Sequence, residues 1–462
     1  MVVQFKVGNY LSFKEVAVFS MVGYMPIKEH ETSPFLSNVF YDPSEKIKLL
    51  KSSVLYGANG SGKSNLLSAM HFFRKFILTS SNQRQAGDQI KVLPFLLSSE
   101  TEGLPSFFEM IFYIEDTRYR FGFETDNQNI HAEWLFALGK ESSTKELKLF
   151  SRQFQQIQPT KHFKEGKGLE DKTRPNALFL STVAQLNGNI ATKILRWFQE
   201  NFNVISGLEN TTISYTVSKF QEDEDFRKIV IEFFKSIQIG FEELAILEEE
   251  ALLDTTLAAL PKVLPQEMDT ILTQLKKLQE TLRVAQEGKS EAKKVAIYTQ
   301  HKKFDKAENF LRYETLDFNL ESKGTQKIFS LLGPIFDTIQ KGKVLVVDEL
   351  DSRLHTLLTK ELVKFFHLKI NKKAQLIFAS HDTNLLRKDI FRRDQIWFAE
   401  KNKLGATDLY SLVEYKVNQA TVRNDASFEK DYLLGKYGAI PFLGNIQKFK
   451  TDFFDDPQEQ EK

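Results

Sequence analysis

The sequence predicts an α/β fold, with a mixed sheet core, an antiparallel β lobe and a helical insertion. Three observations carry this. Ser53-Val54-Leu55-Tyr56 reads as a buried strand that stops at Gly57, and from Lys63 onward apolar residues recur at helical spacing. Residues 344–347 and 375–379 are continuous apolar runs, as parallel strands covered on both faces require. Residues 107–138 alternate strand-like runs with turn residues, which is an antiparallel pattern.

In chain order, Val2-Val3-Gln4-Phe5-Lys6-Val7 and Val16-Ala17-Val18-Phe19 read as short strands. The helix after the glycine loop is marked by Leu66, Leu67, Met70, Phe73 and Ile77, an apolar face of period 3.6. Turns at Asp116-Thr117 and Asp126-Asn127 divide the antiparallel region into strands at 107–115, 119–124 and 130–138. Residues 151–175 are polar and basic, and a loop or surface segment is expected there. From 186 to about 310 the pattern is mainly helical. Within it, Met268, Leu272, Leu275, Leu278 and Leu282 repeat at coiled-coil-like spacing over two heptads, which suits a short helical hairpin. The acidic run Glu222-Asp223-Glu224-Asp225 reads as a solvated surface. After Thr315 come a strand at 316–320, a helix at 325–340, the two apolar strands, and later strands at 395–398 and 409–412. The acidic tail from Asp452 is expected to fray. The expected division is a first lobe at 1–185, a helical insertion at 186–312 and a second lobe at 313–462.

Composition narrows the class. The chain has 462 residues, 42% hydrophobic and 27% charged, so it is globular rather than disordered. Its 62 basic and 61 acidic residues leave a net charge of +1, which gives no global field for nucleic acid or an anionic membrane. Cysteine is absent, which excludes a disulfide scaffold, thiolate zinc sites and a cysteine nucleophile. No signal peptide and no run of 18 apolar residues is present, so a soluble, cytoplasmic protein is expected. The 41 phenylalanines point to a Phe-packed core.

Gly57-Ala58-Asn59-Gly60-Ser61-Gly62-Lys63-Ser64 fits G-x-x-x-x-G-K-[ST], the phosphate-binding P-loop. Its glycines let backbone N–H groups turn toward phosphate oxygens, and the following helix adds its positive end. Lys63 would neutralise the β- and γ-phosphates of ATP, and the Ser64 hydroxyl would ligate Mg²⁺. A chance match in a chain this long is expected at roughly the 1% level, and the strand–loop–helix context is also present. The strand at 344–347 ends in Asp348-Glu349, the Walker B arrangement. Asp348 would hold Mg²⁺ through water, and Glu349 would orient or deprotonate the attacking water.

The two motifs lie 285 residues apart, from Lys63 to Asp348, too far for a compact GTPase. Between them, Leu320-Glu321-Ser322-Lys323-Gly324-Thr325-Gln326 resembles the L-S-G-G-Q signature of ABC-type ATPases, with Lys323 in place of the first signature glycine. Leu350-Asp351-Ser352 resembles the D-loop, and His381 of Ala379-Ser380-His381-Asp382 stands where those enzymes carry the switch histidine. The order and spacing resemble ABC-type ATPases of the structural-maintenance and repair kind rather than transporter cassettes. More narrowly, the chain resembles bacterial AAA-type ATPases of abortive-infection and anti-phage operons, relatives of the overcoming-lysogenisation-defect proteins and of the PARIS defence ATPase. Further residues that carry this likeness are Asn9-Tyr10-Leu11-Ser12-Phe13, Leu354-His355, Arg393-Asp394-Gln395-Ile396-Trp397-Phe398 and Tyr432-Leu433-Leu434-Gly435-Lys436-Tyr437-Gly438-Ala439-Ile440-Pro441.

The resemblance implies a homo-oligomer built from dimers with ATP sandwiched between subunits. Each P-loop would face the Ser322-Lys323-Gly324 segment and Asp351 of the other copy. It also implies a sensor or scaffold that controls a separate effector, a nuclease or toxin, in anti-phage defence. A DNA-repair or chromosome-maintenance ATPase that binds DNA directly is the alternative, and a nucleotide-held scaffold with negligible turnover a third. After His381 only 81 residues remain, too few for a nuclease domain besides the closing strands, so an effector is expected on another chain.

Overall fold

The computed structural model describes residues 1–24, 34–44, 46–83, 85–139, 145–207, 212–248, 295–417, 420–421 and 427–441. The chain divides into two compact units, Met1–Thr211 with Pro334–Lys462, and Thr212–Gly333. The first unit opens with β1 (Val2–Gly8), β2 (Ala17–Ser20), β3 (Val39–Tyr41), β4 (Lys48–Leu50), β5 (Ser52–Tyr56) and α1 (Lys63–Thr79). Then follow β6 (Ser106–Ile114), β7 (Thr117–Thr125), β8 (Ile130–Leu138), β9 (Leu147–Gln153), β10 (Gln156–Pro159), α2 (Phe179–Gln185), α3 (Asn189–Glu200) and β11 (Phe202–Ser206). The second unit holds α4 (Ile213–Glu222), α5 (Glu224–Ser236), β12 (Glu243–Glu248), β13 (Val295–Phe304) and β14 (Phe310–Asp317). Helix α6 (Lys323–Lys341) leads back into the first unit, which continues with β15 (Val344–Asp348), α7 (Thr356–His367), β16 (Gln375–Ala379), β17 (Ile396–Lys401) and β18 (Thr407–Ser411).

The first unit contains the mixed sheet and the antiparallel lobe that the sequence predicts. Strands run β11-β15-β16-β5-β17-β18, parallel except for β18, and the second sheet runs β10-β9-β8-β7-β6-β1-β2, antiparallel throughout. The buried face of α1 packs into one core with residues of β1, β6, β7, α3, β15 and β16. Phe73 stacks on Phe123 at 5.4 Å and meets Phe5 and Phe198 edge-on, so the abundant phenylalanine is spent on this core. Each fully buried ring stabilises by ~2–3 kcal/mol. A buried pair closes the lobe: Glu133 accepts from the N–H groups of Phe179 and Leu180 at the start of α2, and Arg152 lies 3.5 Å away and donates to Ala177 O.

In the second unit α4, α5 and α6 share a Phe-lined contact, with Phe329 near Phe220, Phe234 and Phe318. Pro334 lies inside α6 and has no N–H for the carbonyl four residues earlier. That carbonyl, Ser330 O, instead accepts from the Thr212 and Thr216 hydroxyls at 2.7 and 3.1 Å. The acidic run serves the helix ends: Asp223 caps α5 by accepting from Phe226 N, and Glu224 pairs with Lys228.

Three expectations need correction. Residues 151–175 are not all loop, because β9 and β10 form a hairpin there whose polar sequence, with Ile157 its one buried apolar side chain in β10, hides the strand. The expected helical stretch 186–310 contains β11, β12 and β13 beside its helices. Strand β11 is recognisable only once it lies parallel to β15, since five residues carry too little period of their own. The strand expected at 316–320 is β14, which begins at Phe310 and stops at Asp317, whose carboxylate caps the following 3-10 turn through Asn319 N. The heptads at 268–282 and the tail from 452 lie outside the described residues.

Candidate functional site

Strand β5 delivers the chain to Gly57 with every side chain buried, so the loop begins at a fixed point at the end of the mixed sheet. Gly57 has φ 152°, and a Cβ there would stand 2.2 Å from Ala399 O on the neighbouring strand β17. Gly62 has φ 109°, and a Cβ would meet Thr407 Oγ1 at 2.2 Å. Both positions need glycine for conformation and for space. Lys63 opens α1 and folds back over the loop, with Nζ donating to Gly57 O at 2.8 Å and Ala58 O at 3.1 Å. Burial pulls this ammonium below its ordinary value, while Asp348, Glu349 and Asp351 pull it up. Asn59 and Gly60 are exposed at the loop's crest, with Ala58 half-buried beside them.

The second motif arrives from β15. Ser64 Oγ donates to Asp348 Oδ1 at 3.1 Å across 284 residues of sequence. In an unbroken strand Asp348 and Glu349 would point to opposite faces. Glu349 instead takes φ 54°, which ends the strand, and both carboxylates act on the Lys63 ammonium. The left-handed turn at a non-glycine residue, which costs ~1 kcal/mol or more, is held by Gly207 N donating to Asp348 O, Leu350 N to Ala379 O and Ser352 N to Glu349 O. Asp351 Oδ2 accepts from the His381 N–H at 3.1 Å, which ties the turn after β15 to the end of β16. The His381 residue itself is exposed. Tyr56, whose hydroxyl burial pushes well above its ordinary value, donates to Asp382 O at 3.0 Å.

A hydroxyl chain that the sequence does not announce pins the loop. Thr407 Oγ1 lies 2.7 Å from both Ser61 O and Ser12 Oγ, and Asn65 Nδ2 donates to Ser12 Oγ at 2.7 Å. The Thr407 hydroxyl is shared as donor between Ser61 O and Ser12 Oγ, and Ser12 Oγ also accepts from Asn65 Nδ2. Holding Ser61 O outward turns the N–H of Gly62, on the opposite side of the same planar peptide, toward the loop's interior. Ser12 lies in the Asn9–Phe13 stretch already singled out, but nothing around Thr407 marks it.

The signature segment belongs to the second unit and starts α6 there. Ser322 Oγ accepts from Thr325 N at 3.1 Å, an N-cap, and lies 2.9 Å from the Thr325 hydroxyl. Lys323 Nζ donates to Gln326 Oε1, and Gln326 Nε2 gathers the carbonyls of Phe318, Asn319 and Glu321. Ser322 and Lys323 are exposed and Gly324 is half-buried, at the positive end of a 19-residue helix.

The residues present fit a nucleotide with its metal. Among the described residues, the buried Ser61 Oγ and Asp351 Oδ1 have no hydrogen-bond partner, which marks the loop and the turn after β15 as awaiting polar groups. Ser64 and Asp348 offer two hard oxygens side by side, the donor type of Mg²⁺, which takes its other ligands from phosphate and water. No helix among the described residues is long and apolar enough to cross a membrane.

The family model described as "AAA domain, putative AbiEii toxin, Type IV TA system" matches residues 52–242 and 251–387, a span that contains both carboxylates, the signature segment and His381. Among solved structures, the chain is similar to the SMC head domain from Thermotoga maritima (12% identity, 89% of this chain and 98% of that chain covered, TM-score 0.36). It is also similar to the Smc head bound to the C-winged helix domain of ScpA (11% identity, 89% and 97% covered, TM-score 0.39). A third is the Smc head domain with an extended coiled coil bound to the C-terminal domain of ScpA, derived from Pyrococcus furiosus (10% identity, 94% and 98% covered, TM-score 0.34). No curated protein matches the chain.

Proposed function

The chain belongs to this AAA-domain family, and from that premise we propose that it is an ATPase that dimerises around ATP and governs a separate effector in bacterial anti-phage defence. The observation that carries the chemistry is the 3.1 Å approach of Ser64 Oγ to Asp348 Oδ1 beside a Lys63 ammonium folded into its own loop. The loop's N–H groups and Lys63 bind the β- and γ-phosphates. Ser64 and Asp348 would hold Mg²⁺, which would supply positive charge against the phosphates. Glu349 takes a proton from the attacking water. His381, fixed through its backbone to Asp351, stands at the same end of the sheet to contact the γ-phosphate.

Ser322, Lys323 and Gly324 provide the second anion site, at the start of α6, for ATP held by another copy, with Asp351 at the junction. Ser322 Oγ caps α6 by accepting from Thr325 N, which leaves its O–H proton to donate to phosphate. Closure on ATP and release after hydrolysis then form a switch. The family's description, "AAA domain, putative AbiEii toxin, Type IV TA system", and the resemblance to ATPases of defence operons such as PARIS support a defence role; the nuclease or toxin on a separate chain follows from the resemblance alone.

Mixing subunits tests the composite site. Ser322→Arg blocks the second anion site but spares Lys63 and Ser64, whereas Lys63→Ala disables the P-loop but spares the signature. Each alone is expected to be inactive in ATP hydrolysis, and a mixture shown to form mixed dimers is expected to regain part of the activity. No regain in such mixed dimers contradicts the sandwich. Co-expression with the neighbouring reading frame tests the effector: a nuclease or toxin whose activity follows the Glu349→Gln state of this chain supports the role, and indifference to it opposes it.

A further inference from the structure

The three-stranded sheet of the second unit runs β12-β13-β14, and among the described residues β14 pairs only with β13. Its outer side is an eight-residue edge. Natural edges are usually blunted by lysine, proline or a bulge that twists them away. Strand β14, Phe310-Leu311-Arg312-Tyr313-Glu314-Thr315-Leu316-Asp317, has neither lysine nor proline, and its one register shift against β13 lies at its start, where Leu311 is the extra residue, so Arg312–Asp317 is the regular part of the edge. Phe310, Leu311 and Tyr313 are all about half exposed, and Phe304 of β13 adds a fourth exposed apolar residue beside them. The Phe310 ring lies 5.1 Å from that of Tyr313 and 6.5 Å from that of Phe304, so the edge carries an aromatic cluster facing solvent.

We propose that β14 pairs antiparallel with β14 of a second copy of this chain, about a two-fold axis at Tyr313, joining two three-stranded sheets into one of six. The choice of occupant rests on self-complementarity. With Tyr313 opposite its own copy, Arg312 stands opposite Glu314 of the second copy, within the regular part of the strand. Arg312 and Glu314 of each copy then meet their opposites, and the Tyr313 ring meets its own copy. A two-fold one residue earlier sets Arg312 against Arg312, and one residue later sets Glu314 against Glu314. Like charges directly opposite destabilise a ladder. Slips by a single residue leave Arg312 opposite Tyr313 or Thr315, with no acid.

The free chain supplies a further reason. Lys303 lies directly opposite Arg312 on the β13–β14 ladder, and among the described residues Glu314 Oε2 alone serves both cations, at 2.9 and 3.1 Å. Pairing brings a second carboxylate to Arg312. Two copies of one strand need no nucleotide to meet, so this association is independent of ATP and of the reading of the P-loop.

The chain has no cysteine, so single cysteines report the register without background. Directly opposite residues of an antiparallel pair have Cα atoms about 4.5–5.5 Å apart, within disulfide range. In the full-length, nucleotide-free protein, sedimentation velocity is expected to show a dimer, and oxidised Tyr313→Cys to give a disulfide-linked dimer. Arg312→Glu is expected to weaken association by roughly tenfold or more. Combining Arg312→Glu with Glu314→Arg restores the charge pairs in reversed order and is expected to recover the dimer. Recovery excludes misfolding as the cause of the single variant's loss. A nucleotide-free chain that stays monomeric overturns the proposal and leaves the edge to another protein's strand. A dimer indifferent to Arg312→Glu also overturns it, as does cross-linking through Lys306→Cys, at the hairpin tip, as fast as through Tyr313→Cys.

Discussion

Replacing Thr407 with valine removes one hydroxyl and keeps the shape of the side chain. Two buried oxygens lose the Thr407 donor: Ser61 O and Ser12 Oγ, of which Ser12 Oγ keeps its bond from Asn65. Thr407 is 6% exposed, Ser12 7% and Ser61 3%, so water does not readily replace the lost bonds. An unpaired buried polar group costs ~1–3 kcal/mol. Where that penalty appears depends on the loop. If the loop keeps its shape, the melting temperature falls; if the 61–62 peptide turns to find another donor, Gly62 N–H leaves the cradle and nucleotide affinity falls. At 1.4 kcal/mol per tenfold, the second route weakens binding by roughly 5- to 100-fold. Calorimetric titration with Mg·ATP together with thermal unfolding measures both routes. Thr407→Ser keeps the donor and is expected to stay near the unmodified protein in both. The reasoning is refuted if Thr407→Val binds and melts like the unmodified protein, or if Thr407→Ser loses as much as Thr407→Val.

Gly62→Ala places a Cβ 2.2 Å from Thr407 Oγ1 at a φ of 109°, so nucleotide binding is expected to be lost, as read by the same titration. Glu349→Gln is expected to keep ATP bound while slowing phosphate release by ~10²-fold, measured in a steady-state assay; full-rate hydrolysis would place the base elsewhere. His367 is buried against Ser52 Oγ at 2.7 Å, and burial pushes its pKa down to about 3. The unfolded chain protonates near 6.5, so the native state is penalised as pH falls from about 6.5 toward 3. Stability should decline by up to ~1.4 kcal/mol per pH unit in that window, and denaturant titrations of His367→Gln should show a shallower slope. Arg152→Met leaves Glu133 fully buried with no cation 3.5 Å away and is expected to lose ~3–5 kcal/mol of stability in urea unfolding, with Glu133→Gln added to it recovering part of that.

The elements legible in the sequence are those whose signal is local. The strand before Gly57 and the helix after Lys63 announce themselves by a buried run and a 3.6-residue period, and the structure has β5 and α1 at those places. The runs at 344–347 and 375–379 are apolar throughout because both their faces are covered, and they are β15 and β16. Strands whose identity comes from a neighbour were hidden. Strand β10 exists because β9 lies beside it, and β11 because β15 does. The same holds at the site. The P-loop, Asp348-Glu349 and Asp351-His381 are readable as short motifs. That Ser64 meets Asp348, or that Thr407 closes on Ser12 across 395 residues, is a property of strand order. Thr407 is a common residue in an ordinary strand, and only the 2.7 Å contact with Ser61 O singles it out.

The central claim is that this chain's own P-loop and Asp348 hold Mg·ATP. Titrating ATP into the unmodified protein, Lys63→Ala and Asp348→Asn, each with Mg²⁺ and with EDTA, tests it most directly. The expected result has three parts: the unmodified protein binds tightly with Mg²⁺ and more weakly in EDTA; Lys63→Ala shows no measurable binding; and Asp348→Asn binds with little difference between the two conditions. Affinity in Lys63→Ala close to that of the unmodified protein, or an undiminished Mg²⁺ effect in Asp348→Asn, contradicts the account.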